Sequence, residues 1–158
     1  MKEIIIRKMR KSDLEIVSEL AMLANPFAEK AGYKRHIEEE LEGKPELAFV
    51  AVKDNKVVGY VMGDVTNGHG VLEDIAIDVA HQHQGIGTLL LETELKALKS
   101  SQTKIIVAEV HYKCASAIPF YYKHGFRISG IGRNFFGMGH DAIILELILS
   151  KMNSHESS

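Results

Sequence analysis

The sequence predicts an α/β (α+β) domain, a mixed sheet covered by helices in the order β-α-α-β-β-β-α-β-α-β-β. Three observations carry this. Runs of β-branched and aromatic residues are separated by segments whose apolar residues recur with helical period. Two hairpin signals, Asp54-Asn55-Lys56 and Asn67-Gly68, tie three of the strand-like runs together in succession. A third run, Leu72 to Asp78, feeds a two-glycine turn and then an amphipathic helix. Strands and helices neither alternate strictly nor segregate, so a doubly wound parallel sheet is the poorer fit.

Each element has its own warrant. Glu3 to Met9 reads as a strand, and Ser12-Asp13-Leu14-Glu15 as an N-cap with an acid three residues on. Leu14, Val17, Leu20 and Leu23 then repeat helically until Pro26. Tyr33 to Glu42 offers a second helix, with Ile37 and Leu41 four apart among charges, stopped by Gly43-Lys44-Pro45. Leu47 to Val52, Val57 to Asp64 and Val71 to Asp78 are three antiparallel strands. Ile86, Leu89, Leu90, Thr93, Leu95 and Leu98 supply a helix to about Ser100, followed by a strand from Lys104 to Val110. Ala115 to His124 is a short helix closed by Gly125, and Phe126 to Ile131 and Asp141 to Leu149 are the last strands.

Composition narrows the class. The chain of 158 residues, 46% hydrophobic and 25% charged, fits one domain over 1–150 with a polar tail at 151–158. A formal charge of −2 gives no basic footprint for nucleic acid. No apolar run approaches a membrane span, and Met1 to Arg7 is too short in its apolar part for a secretory signal. The single cysteine, Cys114, excludes an internal disulfide framework, so a cytoplasmic protein is expected.

The glycine turn, Gln82-His83-Gln84-Gly85-Ile86-Gly87-Thr88, reads as an anion cradle. The first N–H groups of a helix lack intrahelical partners and sit where its dipole is positive, a place that suits phosphate oxygens. Neither familiar phosphate motif fits. A dinucleotide fingerprint needs a small residue where Leu90 stands, and a P-loop needs a Lys where Thr88 stands. The residues present follow Q/R-x-x-G-x-G/A after a strand, with Gln82, Gly85 and Gly87 in the fixed places. This resembles the acetyl-CoA motif of the GNAT superfamily of N-acetyltransferases.

A second block strengthens the resemblance. Ala108-Glu109-Val110, then Cys114-Ala115-Ser116-Ala117 through Tyr121 to Gly125-Phe126, resembles the family's strand followed by N-x-x-A-x-x-x-Y-x-x-x-G-F. Ala117, Tyr121, Gly125 and Phe126 fall in place, and Cys114 stands where Asn is usual. The resemblance is closest to N-terminal protein acetyltransferases of the ribosomal-protein-alanine type. Glu109 precedes Tyr121 by their twelve residues, and Arg133-Asn134-Phe135-Phe136 with His140-Asp141-Ala142 resembles their closing block, with Phe135 and Phe136 where tyrosines are usual.

The resemblance implies a mostly antiparallel GNAT sheet, acetyl-CoA as cosubstrate and a primary amine as acceptor. It assigns cofactor contacts to Gln82, His83, Gln84, Gly85, Ile86, Gly87 and Thr88, and to the backbone of Ile75, Ala76 and Ile77, with Cys114 at the usual Asn place and Tyr121 beside the sulfur. Free backbone donors at Ile75 to Ile77 require the sheet to open there through a bulge or splay. Acetyl transfer from a thioester also needs a base for the ammonium and an acid for the leaving thiolate. The resemblance makes Tyr121 the acid, and leaves Glu109 and Glu73 as alternative bases, the latter because Glu73-Asp74 resembles the L-E-D of diamine acetyltransferases.

Three functions follow: acetylation of a protein or peptide N-terminus, acetylation of a small amine such as a polyamine or amino sugar, and a non-catalytic CoA-binding module. A monomer or homodimer is expected, with no nucleic-acid or membrane partner. His81, His83, His111, His124 and His140 have no Cys or carboxylate at ligand spacing, so no metal is expected.

Overall fold

The computed structural model describes residues 3–100 and 102–149, and the expected polar tail at 151–158 lies outside them. Element order is β1 (Ile5–Lys8), α1 (Leu14–Ala24), α2 (Lys30–Gly43), β2 (Ala48–Lys53), β3 (Lys56–Thr66), β4 (His69–Ile77), α3 (Ile86–Lys99), β5 (Ile105–His111), α4 (Ile118–Lys123), β6 (Arg127–Gly132) and β7 (Ala142–Ile148). This is the predicted order. The strands form one seven-stranded sheet, β1-β2-β3-β4-β5-β7-β6.

The chain divides into two compact units, with β3, β4 and α3 running from one into the other. The first takes in the chain to Asp64 together with Glu73–Ala97. Here β1 pairs antiparallel with β2, Ile5 opposite Val52, and β2 antiparallel with β3, Phe49 opposite Val61. Asp54 and Asn55 both adopt positive φ, 53° and 61°, the twist a tight hairpin needs. Leu14, Val17, Leu20 and Ala21 of α1 and Ile37 and Leu41 of α2 pack with Val50, Tyr60, Met62 and Ala76 from the sheet. An apolar stripe on each helix against alternate strand residues is what makes this layer.

The second unit comprises Val65–Leu72 and the chain from Leu98. Its part of β4 runs parallel to β5, from His69 opposite Ile105 to Leu72 opposite Ala108. β5 pairs antiparallel with β7, Glu109 opposite Ile144, and β7 with β6 across an irregularity between Ile128 and Gly130.

Three local expectations are corrected. Ser12 does not cap α1: a 3-10 turn at Lys11–Asp13 precedes the helix, and the Asp13 carboxylate accepts the Arg10 N–H at 2.8 Å while Arg7 grips it through both guanidinium nitrogens. Glu15 instead pairs with Lys30 and Lys34 of α2. Leu23 and Leu89, read as core positions, are 45% and 42% exposed, because each lies at the margin of its helix stripe. The expected helix over Ala115–His124 is broken: a 3-10 stretch, Tyr112–Ala117, leads into α4 at Ile118, where Pro119 is tolerated at the helix start.

Candidate active site

The site residues in the first unit begin at a fault in β4. Glu73 and Asp74 are consecutive, so a regular strand would point them to opposite faces. Both turn toward α2: Glu73 Oε2 lies 3.7 Å from His36 Nε2, and Asp74 accepts a hydrogen bond from the Tyr33 hydroxyl. An ideal Cβ on Gly70 would meet Leu98 of α3, whereas Asp74 and Ala76 face α1 and α2, so the alternation of β4 shifts by one residue before Asp74, as a β-bulge shifts it. Alternation then resumes, with Ala76 in the core against α1 and α2, and Ile77 on the opposite face, which it shares with Gly59 and Leu90 of α3. The parallel pairing of β4 with β5 stops at Leu72, one residue before the bulge. Ile75, Ala76 and Ile77 therefore lie beyond that pairing.

From Ile77 the chain makes a 3-10 turn, Val79–His81, and enters the glycine stretch. His83 and Gly85 have φ of 63° and 83°, so the backbone twists through left-handed conformations just before α3. An ideal Cβ on Gly85 would meet nothing within 4 Å, so the glycine is there for its φ. The first bond of the helix runs from the Leu89 N–H to the Gly85 carbonyl at 3.2 Å. The N–H groups of Ile86 and Gly87 precede it and face outward along the helix axis. Gln82 donates from Nε2 to the Ile77 carbonyl at 3.1 Å, which ties the turn to the end of β4, and Lys53 Nζ reaches Gln84 Oε1 at 3.0 Å. Backbone donors at a helix start, with open space before them, fit the phosphates of a nucleotide cosubstrate.

In the second unit, half-buried Glu109 lies on β5. Cys114 sits inside the 3-10 stretch with φ −101° and ψ 22°, and burial pushes its thiol up, away from the reactive thiolate. Tyr121, buried on α4, is held edge-on between Phe120 and Phe126, each 5.5 Å away by ring centroids. A six-residue helix closes behind it, the Phe126 N–H returning to the Tyr121 carbonyl at 3.1 Å.

The closing block forms a hydrogen-bonded loop. Asp141 Oδ1 accepts the Asn134 N–H at 2.8 Å, and Asn134 Oδ1 accepts the Gly139 N–H at 2.8 Å. His111 Nε2 is 2.9 Å from His140 Nδ1, and His111 Nδ1 accepts the Lys113 N–H at 3.1 Å. With Nδ1 accepting, the His111 proton lies on Nε2 and faces His140. Burial, then the neighbouring His140 and Lys113, holds His111 below the usual imidazole range. Phe135, half of its surface exposed, stands edge-on to Phe136 at 4.9 Å.

Sequence reasoning missed three groups. His36 and Glu40, one turn apart on α2, meet Glu73: one ligand atom from each lies within 4.8 Å of the others. The signal was the i, i+4 spacing. Asp74 is wholly buried and gathers three donors, Tyr33, Asn25 Nδ2 at 2.8 Å and Tyr60 at 2.7 Å; burial still holds its carboxyl above the ordinary range. Glu94, between Leu90 and Leu98 on the inner stripe of α3, has no exposed surface, and among the described residues neither carboxylate oxygen has a hydrogen-bond partner. Burial, then the charge of Glu73, pushes it up to about 8.

Comparison with known proteins bears on these features. The acetyltransferase (GNAT) family model matches residues 14–126. The chain is 31% identical over 147 residues to an uncharacterized N-acetyltransferase of Methanocaldococcus jannaschii, with 89% of each chain covered. It is 31% identical over 157 residues to an N-alpha-acetyltransferase of Sulfurisphaera tokodaii, covering 91% of this chain and 92% of the relative. The crystal structure of ribosomal-protein-S18-alanine N-acetyltransferase from Escherichia coli matches with a TM-score of 0.75 at 26% identity, covering 93% of this chain and 94% of that chain.

Proposed function

Because the chain belongs to the acetyltransferase (GNAT) family and is an N-acetyltransferase, we propose that it moves the acetyl group of acetyl-CoA directly onto the amine of a protein or peptide N-terminus. One observation carries the donor half: β4 breaks its alternation at Glu73–Asp74, directly after its pairing with β5 ends, and leads through a left-handed glycine turn into α3. The similarity of the chain to the Sulfurisphaera tokodaii and Escherichia coli enzymes, whose names specify N-alpha and alanine N-acetylation, supports the N-terminal amine.

In this reading Gln82 to Thr88 hold the pyrophosphate on the helix N-terminus, and backbone N–H groups at Ile75 to Ile77 hold the pantetheine and polarise the thioester carbonyl. Acetyl-CoA supplies an activated acyl group. Glu109 takes the proton of the attacking amine, and Tyr121 gives its phenolic proton to the departing sulfur. Preference for Glu109 over Glu73 as base rests on the surroundings of Glu73, which faces His36 and Glu40. Cys114 contributes packing and no covalent step.

A second acceptor, a small amine such as a polyamine or amino sugar, is favoured by Phe135 and Phe136, which offer no hydroxyl to a peptide backbone. Incubation with acetyl-CoA and a panel of N-terminal peptides and free amines, following CoA release, decides between them. Peptide-dependent release is expected, release with free amines alone overturns the peptide assignment, and CoA binding without release under any acceptor marks a binding module. Among the described residues no helix is long and apolar enough to cross a membrane, and a cytoplasmic place of action completes the proposal.

A further inference from the structure

We propose that His36, Glu40 and Glu73 form a binding site for one divalent transition-metal ion of the zinc class, with three protein ligands and a fourth position left to solvent. The three come from two elements that the fold brings together. His36 and Glu40, four residues apart on α2, share one helix face. Glu73 comes to that face from β4, beside Asp74. One donor atom from each residue lies within 4.8 Å of the other two, and the His36 Nε2 to Glu73 Oε2 separation is 3.7 Å. Bonds of about 2.0–2.2 Å to a tetrahedral ion set its ligand atoms about 3.3–3.6 Å apart, so side-chain rotation supplies the remaining contraction.

The donor set selects the metal. Imidazole nitrogen and carboxylate oxygen are both zinc donors, and three of them leave a fourth position open, whereas magnesium favours six oxygens and keeps its waters. The cluster also has charge to neutralise. Two carboxylates share the cluster with one imidazole, their ligand atoms all within 4.8 Å of one another. A bound dication relieves that repulsion and clamps α2 to the β4 bulge. The site differs from the expectation of no metal, which weighed only His81, His83, His111, His124 and His140.

The test is metal binding by the full chain, independent of acetyl transfer. Calorimetric titration with zinc chloride is expected to show one equivalent bound, with cobalt giving the intense visible absorption of a four-coordinate ion and magnesium failing to compete. Loss of a mere outer partner weakens metal sites by about tenfold or more, so His36→Ala, Glu40→Gln and Glu73→Gln should each cost at least that, while His140→Ala, in the His111–His140 pair, leaves affinity unchanged. Circular dichroism checks that each variant is folded. Absence of zinc binding, zinc binding that His36→Ala and Glu73→Gln leave intact, or a pale six-coordinate cobalt spectrum in the unmutated chain would each overturn the proposal.

Discussion

Tyr60 donates its hydroxyl proton to Asp74 Oδ2 across 2.7 Å, in a part of the core where both side chains are buried. Removing that donor leaves a buried carboxylate with only Tyr33 and Asn25. Oδ2 keeps the Tyr33 hydroxyl, so what is lost is one hydrogen bond to a carboxylate, about 1.5–3 kcal/mol. Tyr60→Phe should lower the unfolding free energy by that amount in urea titrations, at unchanged m-value. Asp74→Asn should cost less than Asp74→Ala, since an amide still accepts from the two hydroxyls through its oxygen.

Glu94 makes stability depend on pH. Its carboxyl is pushed from 4.5 up to about 8 in the folded chain, so the native state holds a proton that the unfolded chain has released. This contribution is present in full below about pH 4.5, and is lost as pH rises through about 8, at up to about 1.4 kcal/mol per pH unit. Glu94→Leu should flatten that slope and raise the melting temperature most above pH 8. A variant as pH-dependent as the parent would show that Glu94 is solvated.

Gly85 tests the cradle. With φ of 83° and open space around an ideal Cβ, Gly85→Ala meets backbone strain alone, about 1–2 kcal/mol. Relaxation of that strain displaces the N–H groups that open α3. CoA affinity, measured by calorimetry, should fall about tenfold or more while the chain stays folded, and an unchanged dissociation constant would remove the turn from the cosubstrate site.

Proton transfer separates the two carboxylates. If Glu109 and Tyr121 act as proposed, Glu109→Gln and Tyr121→Phe should each lower kcat by about 10²–10⁴ and leave CoA affinity nearly unaltered. Glu73→Gln should then cost far less in kcat, measured in metal-free buffer. A reversed order between the two glutamates would assign the base to Glu73.

The element order was legible because it follows from local signals: Asn55 and Asn67-Gly68 at hairpins, Pro26 after α1, Gly85 before α3 and Gly125 after α4. Their backbone angles bear this out, with positive φ at Asn55, Asn67, Gly68, Gly85 and Gly125. What was not legible depends on tertiary partners. Glu73-Asp74 reads as two polar residues in an apolar strand, and only Tyr33, His36 and Tyr60 reveal that both acids face one layer. Glu94 reads as one more polar residue of an amphipathic helix until burial places it inside. Ser12 lost the helix start to Asp13, for which Arg7 supplies a bidentate partner from β1. Such choices are made by contacts distant in sequence, which periodicity does not encode.

The bulge at Glu73–Asp74 also restricts how the chain can evolve. Residues up to Leu72 and residues from Asp74 onward keep opposite parity, so deleting Glu73 alone would restore a regular strand in which Ala76 still faces α1 and α2 and Ile77 still faces α3. Deleting Ile75 instead would turn Ala76 out of that layer and put Ile77 in its place. A one-residue change of length is tolerable at the bulge itself and not beyond it.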